Sequence, residues 1–340
     1  MQTHYHQFML RALTSLHPGT GRSEFSAIDH QVQRDWRGFP TIFKSSLKGA
    51  LNEYFKAKKQ EGLGQIAFGG NHSISNMLLD TLRYLKNRAD LQLDPNTIGT
   101  LEEELNKQVQ GVFRAGKVSV HDAELLSIPV RSNFQPFFHA TCPQILKDWK
   151  ERSEFFLGKE RANPIIDTVN YLDKFGLLEA SKNRILDLRS NKTAEKVTGE
   201  VYLERFEFTA TFYQPEDTSK LALLKSMFGN FLALVRSEAV SPGEDAPFSI
   251  LVDDFHLPII PRNQLENGKS NQLWYEQVLH PETRFYTFFG FYDESDQHRK
   301  SFLQQVHDQV INVGANLSVG YGRCHFQRMD SVTTKSASHG

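Results

Sequence analysis

The residues best suited to chemistry lie close together in one stretch, AIDHQVQRDWRGFPTIFKSSLKGAL, residues 27–51. Asp29 follows the apolar pair Ala27-Ile28 and falls between a strand pattern and a helix pattern that carries cations. A carboxylate in that place could hold a divalent cation, or orient a hydroxyl or water beside a phosphate. It could equally form an ion pair with Arg34 or Arg37. Lys44, Ser45 and Lys48 stand at the start of the helix pattern, after Phe43. Exposed amides, a hydroxyl and two ammonium groups one turn apart make a phosphate cradle; the alternative is a capped helix with solvated lysines. Among 13 histidines, His17 ends a strand pattern just before a glycine loop, with His4, His6 and His30 nearby in sequence. It is a candidate general acid or base, although a single histidine at a strand end is more often structural. No Ser/His/Asp triad can be assembled from spacing alone. Phosphate-loop, H-E-x-x-H, G-x-S-x-G and dinucleotide-binding motifs are all missing from the sequence. GTGRSEF and VGYGR are glycine-rich and read on their own as turns.

Bulk properties narrow the classes further. The formal net charge of −1 over 340 residues advertises no polyanion partner. Residues 1–60, however, hold nine Lys/Arg against four Asp/Glu. That surplus could line a groove or could be a solvated helix face. Cys142 and Cys324 are far apart, without metal-ligand spacing, and suit a reducing compartment where they act as small hydrophobes. MQTHYHQFML has no basic segment followed by an apolar core, and no window approaches the ~18 apolar residues of a membrane span. The expectation is a cytoplasmic protein that does not engage membranes.

The elements that must position these residues follow from hydrophobic period and turn chemistry. Strands are expected over Phe8–Leu16, over Lys117–Ser132 stopping at Pro129, over Arg205–Tyr213, Pro247–Phe255 and Thr283–Tyr292, and after the glycine loop NVGANLSVGYGR. Helices are expected from a Ser45-Ser46 cap through Phe55, around Ser75–Asn87 and Leu101–Phe113, over Pro143–Leu157, Pro164–Leu178 and Lys220–Glu238, and over Arg299–Val310. Residues 256–272 read as a hairpin or protruding loop, and TTKSASHG as a flexible tail. The order gives two βαβ-like halves with antiparallel strands. That is an α+β plan of ferredoxin type with large insertions, and the plan alone fixes no function.

Four stretches, taken in order, resemble the RAMP superfamily. They are HPGTG…FSAIDHQVQRD…GFPTIFKSSLKGAL, VSVHDAELLSIPVRS, LWYEQVLHPETRFYTF and NVGANLSVGYGR, spanning about residues 8 to 324. The closest resemblance is to the repeating backbone subunits of type III-B CRISPR effector complexes. It implies a single RAMP domain over residues 1–330 with a ferredoxin-like, RRM-like core. An insertion falls near 61–116, a thumb hairpin near 257–272 and a flexible tail at 331–340. It implies a subunit that stacks with further copies of itself along a CRISPR RNA, beside other subunits of the complex. The thumb interrupts the guide–target duplex, and an aspartate after the first strand cuts target RNA at regular intervals. That residue is Asp29, which would also hold a divalent cation, Mg²⁺. The guide-gripping lysine is Lys48, preceded by Lys44, Ser45 and Ser46. Arg131, Ser132, Gly320, Tyr321, Gly322 and Arg323 carry over as further RNA-binding positions.

The chemistry expected of such a protein explains the missing nuclease motifs. RNA brings its own nucleophile, the 2′-hydroxyl, so alignment of the backbone and stabilisation of charge suffice. A metal-dependent, guide-directed endoribonuclease is therefore the leading expectation. The alternatives are a non-cleaving RNA-binding scaffold, a stand-alone RAMP endoribonuclease that processes CRISPR transcripts through histidine chemistry, and a ferredoxin-like metabolic enzyme.

Overall fold

A computed structural model describes residues 3–22, 27–69, 100, 116–179, 182–189, 199–204, 208–239, 246–254, 256–292 and 296–329. The helices expected around Ser75–Asn87 and Leu101–Phe113, and the tail at 331–340, lie outside the described residues. The strands are β1 His4–Ala12, β2 Gly19–Arg22, β3 His30–Val32, β4 Thr41–Ile42, β5 Val118–Val120, β6 Ala123–Arg131, β7 Phe137–Thr141 and β8 Arg184–Asp187. They continue with β9 Glu200–Leu203, β10 Phe208–Tyr213, β11 Phe231–Leu234, β12 Ile259–Glu266, β13 Lys269–Gln277, β14 Arg284–Phe291, β15 Gln309–Asn312 and β16 Arg323–Arg328. The helices are α1 Lys44–Ala57, α2 Glu61–Phe68, α3 Pro143–Leu157, α4 Lys159–Lys174, α5 Ala222–Phe228, α6 Pro247–Leu251 and α7 Asp296–Val306.

The chain divides into two compact units. The smaller comprises Met1–Thr3, Leu51–Ser119 and Gly290–Gln305. Its aromatic core sets Phe55 against Phe302 and Phe68, with ring centroids 5.5 Å and 6.2 Å apart. The Tyr54 hydroxyl donates to the Gln305 carbonyl at 2.9 Å.

The larger unit comprises His4–Ala50, Val120–Phe289 and Val306–Gly340. Its main sheet runs β15-β16-β1-β14-β6-β7-β11-β8-β10-β9. Within that path, β16-β1-β14-β6 has the neighbour order of a ferredoxin-like sheet, with its last strand beside its first and its third beside its second. β1 pairs antiparallel with β16, and β14 with β6. Chain order β1, α1, β6, β14, α7, β16 supplies the two βαβ halves expected from the sequence, so the fold is α+β with a ferredoxin-like core. β1 carries five consecutive buried residues from His6 to Leu10, as a strand covered on both faces and flanked on both sides must. A second sheet, β12-β13-β3-β2, holds the hairpin. Asn267 and Gly268 turn it with φ of 52° and 76°, the left-handed pair that matches the twist of a two-residue hairpin loop.

Four local expectations are corrected. The expected helix Lys220–Glu238 is the short α5 followed by β11. Gly229 ends the helix at φ 80°, and the apolar run Phe231–Leu234 completes a ladder between β7 and β8. The expected strand Pro247–Phe255 begins instead as α6, with Pro247 in the first turn, where a missing N–H costs nothing; a short apolar run does not distinguish the two. β6 does not stop at Pro129 but runs to Arg131. Its pairing to β14 extends only to Ser127, so the proline has a ladder partner on the β7 side alone. The helix cap is not the serine pair. α1 begins at Lys44, whose N–H donates to Asp122 Oδ1 at 2.6 Å, a carboxylate from the turn before β6.

The glycine loop is held against the end of β1. Val313 N–H donates to the Gly322 carbonyl and Gly322 N–H to the Ser15 carbonyl, at 2.8 and 2.9 Å. Gly314 adopts φ +82°, and a Cβ there would lie 2.4 Å from the His17 carbonyl oxygen. Gly320 is also left-handed, at φ +87°, but faces open space. Gly314→Ala is therefore expected to cost about 3 kcal/mol or more, against about 1 kcal/mol for Gly320→Ala. Urea unfolding of the two variants checks this. Equal losses would show that crowding against His17 is not what Gly314 relieves.

Candidate active site

Asp29 lies in the bend that leads into β3. Ile28 beside it is buried and anchors the bend, while Asp29 is half-buried. Its Oδ2 accepts the Tyr275 N–H at 2.9 Å, so β13 of the hairpin orients the carboxylate. β3 runs parallel to β13 through a single registered pair, His30 opposite Glu276. A cleft of about 400 Å³ opens beside Asp29, lined also by His17, His30, Trp274, Glu276 and Asn316. The segment after β1 that carries His17, the aspartate bend, the hairpin and the glycine loop thus converge on one place, and His17 stands beyond the strand rather than at its end.

The floor of the cleft is a polar network centred on Glu276, in which the buried Arg262 Nη2 has no hydrogen-bond partner. Glu276 Oε1 accepts the Trp274 indole N–H at 3.0 Å, and its Oε2 accepts Arg262 Nε and Asn316 Nδ2 at 3.0 and 2.8 Å. The Arg262 guanidinium also lies 4.8 Å from the centre of the Tyr321 ring. Burial alone would raise the Glu276 pKa. The hydrogen bonds from Trp274 and Arg262, and the arginine's charge, outweigh it and hold the carboxyl below its ordinary value. His17 is buried, and its Nδ1–H donates to the Gln277 carbonyl at 2.6 Å. That bond leaves the lone pair on Nε2. Burial, despite the opposing pull of that bond and of Glu276, keeps the imidazole below its ordinary pKa.

The other expected residues take varied positions. Lys44, Ser45 and Lys48 are exposed at the start of α1. Ser46 is half-buried and accepts Gln33 Nε2 at 2.9 Å, while Gln33 Oε1 accepts the Phe43 N–H at 2.7 Å. One side chain just after β3 thereby fixes the entry to the helix. Arg131 is exposed, but its guanidinium is paired with Glu204 at 2.9 Å. Ser132 caps its own turn, accepting from Gln135 N–H and donating to the Gln135 carbonyl. Arg323 is exposed, and its backbone N–H reaches Thr14 Oγ1 at 3.1 Å. Gly322 is needed for close approach, since a Cβ there would lie 2.3 Å from the Val313 carbonyl oxygen. Gly320 and Tyr321 lead into it, Tyr321 as the platform for Arg262.

The two arginines that were alternative partners for Asp29 are engaged elsewhere. Arg34 pairs with Asp254 at 2.8 Å and donates to the carbonyls of Gly38 and Val252. Arg37 pairs with Asp35 and Asp148. Among the described residues no cation pairs with Asp29. Sequence reading overlooked Glu276, Trp274 and Asn316. The visible signal was Trp274-x-Glu276, two polar-tipped residues at strand period facing one side.

Among the described residues, no group of three or more His, Cys, Asp or Glu is arranged around a metal position. Both Glu276 oxygens are already taken by donors, whereas Asp29 spends one oxygen on a single amide. This donor set fits a cation held by one carboxylate together with substrate phosphate oxygens, the usual manner for Mg²⁺. It does not fit an all-protein cage.

The chain matches the RAMP superfamily over residues 9–325 and belongs to that superfamily. It is 25% identical to the CRISPR system Cmr endoribonuclease Cmr4 of Pyrococcus furiosus, covering 97% of each chain. A chain of the type III-B Cmr-beta complex bound to cognate target RNA, determined by cryo-EM, superposes with a TM-score of 0.66 at 19% identity. The match covers 96% of this chain and 98% of that one. Oligomeric Cmr4 from Pyrococcus furiosus superposes with a TM-score of 0.53 at 19% identity, covering 97% and 100% of the two chains.

The Glu276 network carries a pH signature. A carboxyl held below its ordinary value stabilises the fold above the unfolded-state pKa, and that stabilisation is lost as pH falls through the folded-state value. The stability difference between wild type and Glu276→Gln is therefore expected to be largest near neutral pH and to shrink between about pH 5 and pH 3. Urea midpoints measured across that range test it. A difference that stays constant would mean that the Glu276 charge does not hold the hairpin to the glycine loop.

Proposed function

We propose that this chain is the RNA-binding backbone subunit of a type III-B CRISPR effector complex, and that it cuts bound target RNA with Asp29. The observation that carries the reading is the position of Asp29. Its carboxylate stands beside a cleft, is aimed by one hairpin amide, and has no cation partner among the described residues. The coarser part is supported by the likeness to a Cmr endoribonuclease along nearly the whole chain. The structural relatives, a Cmr-beta complex bound to target RNA and an oligomeric Cmr4, support the proposed partners: target RNA, further copies of the subunit and the rest of a Cmr complex. Guide CRISPR RNA completes the set.

The mechanism uses little protein chemistry. The β12–β13 hairpin acts as the thumb and displaces one target nucleotide, which twists the backbone until the 2′-oxygen, the phosphorus and the leaving oxygen fall in line. Asp29 then sits at the distorted phosphate, oriented by the Tyr275 amide. Asp29 would hold a divalent cation, Mg²⁺, together with phosphate oxygens, and such an ion supplies neutralisation of the charge that develops there. Glu276 is bonded on both oxygens and stabilises the hairpin base rather than moving a proton. Lys44, Ser45, Ser46 and Lys48 at the start of α1 meet guide phosphates. Arg131, Ser132, Gly320, Tyr321, Gly322 and Arg323 are assigned to the same backbone-tracking surface. Arg131 reaches it only by loosening its pair with Glu204. A histidine-based alternative would need His17, which is buried and tied by Nδ1 to Gln277.

Cleavage of end-labelled target RNA by the assembled complex tests the reading. Wild type with Mg²⁺ is expected to give regularly spaced products. Asp29→Ala is expected to lower their rate at least about a hundredfold, and EDTA to abolish them. Unchanged products from Asp29→Ala would leave an RNA-binding scaffold whose catalyst lies elsewhere. Lys48→Ala is expected to weaken guide binding for every sequence alike and to reduce the slope of log affinity against log salt by about one phosphate contact. A slope equal to wild type would remove Lys48 from the interface.

A further inference from the structure

β3 has three residues and one registered pair with β13, too few backbone bonds to fix where the aspartate bend lies along the hairpin. The missing constraint comes from a side chain. Gln277, the last residue of β13, is fully buried. Its Oε1 accepts the Val32 N–H at 3.1 Å, as a backbone carbonyl of a neighbouring strand would. Its Nε2 donates to Asp254, to Oδ1 at 3.1 Å and to the carbonyl at 3.3 Å. The other Asp254 oxygen accepts Gln31 Nε2 at 3.1 Å, from the middle of β3. Arg34, just beyond β3, closes the set on Asp254 Oδ1 at 2.8 Å. The Gln277 carbonyl receives His17 Nδ1–H at 2.6 Å. Gln277 therefore links β3 and the segment before the hairpin through its side-chain amide, and the cleft histidine through its backbone carbonyl, two residues from Tyr275, whose N–H holds Asp29.

We infer that Gln277, with Asp254 as its partner, is the positioning residue of the cleavage site: it sets the register of β3 on the hairpin and so the aim of the Asp29 carboxylate. It touches no RNA. The inference rests on the proposal that Asp29 is the catalytic carboxylate, and it adds the part of the protein that makes that carboxylate effective.

Two variants in the assembled complex test it. Gln277→Leu keeps the bulk and removes all three side-chain hydrogen bonds. At saturating target RNA its single-turnover cleavage rate is expected to fall on the order of tenfold to a hundredfold, with target affinity unchanged. Gln277→Glu adds a readout that mere loss of packing does not move. An ionised glutamate can only accept, and it would face Asp254; a protonated one accepts from Val32 and donates to Asp254 as the amide does. The other charged or titratable groups facing the position are Arg34, through Asp254, and His17 on the backbone carbonyl; Glu276 is adjacent in the strand. Burial and the neighbouring Asp254 both raise the pKa of a carboxyl placed there. The ratio of the variant rate to the wild-type rate is therefore expected to rise as pH is lowered from about 8 to about 6. The inference is overturned by a wild-type rate in Gln277→Leu, by a rate loss that tracks a loss of RNA affinity, or by a Gln277→Glu ratio that is flat with pH. Asp29→Ala, run alongside, separates the two claims. If it is inactive while Gln277→Leu cuts normally, only the positioning role fails; if it cuts normally, the catalytic assignment itself fails.

Discussion

A three-residue strand cannot hold its own register, and the site depends on the register of β3. Slipping it by one residue on β13 would turn every side chain to the other face. Asp29 would lose the Tyr275 amide, and His30 would leave its place opposite Glu276. The structure prevents the slip with side chains acting as backbone: Gln277 on Val32, Gln33 on Ser46 and Phe43, and Asp254 on Gln31 and Arg34. A part-buried network of this kind favours one arrangement, because a slip would leave the buried Gln277 amide unpaired. The glycine loop then closes on the same region from the opposite side, through Asn316 on Glu276 and the tight contact of Gly314 with His17.

This arrangement accounts for the dense charge of residues 27–51. Most of it is internal. Arg34 and Arg37 with Asp35, Asp148 and Asp254 tie the segment between β3 and α1 to the body of the larger unit. The charges left exposed are those at the start of α1, Lys44 and Lys48. A neutral chain with a small cationic site suits a protein for which base pairing reads the sequence and protein contacts need only follow the backbone.

The ferredoxin-like plan was legible because its strands carry strong patterns: the buried run of β1, the aromatic run of β14, and β16 after its glycines. The elements that were misread are those decided by tertiary neighbours. Phe231–Leu234 continues a helical pattern on paper but becomes a strand because β7 and β8 offer it a ladder. The cap of α1 comes from Asp122, 78 residues away in sequence, which no local rule reveals. In the site, Asp29, His17 and the lysines stood out by residue type and position. Trp274, Glu276 and Gln277 did not, since a hairpin strand of mixed polarity looks like any exposed edge until its partner β3 is known. Family resemblance assigned Arg131 to RNA. Its pairing with Glu204 could appear only in three dimensions.

The most direct measurement is a cryo-EM structure of the assembled complex on target RNA that carries 2′-deoxy nucleotides at the cleavage positions, so that the substrate stays intact. Catalysis by Asp29 predicts one displaced nucleotide at the β12–β13 hairpin. It places the adjacent scissile phosphate in the cleft at the Asp29 carboxylate, with the Tyr275–Asp29 hydrogen bond retained and guide phosphates at Lys48. A scissile phosphate lying away from Asp29, with that carboxylate still facing empty solvent, would contradict it.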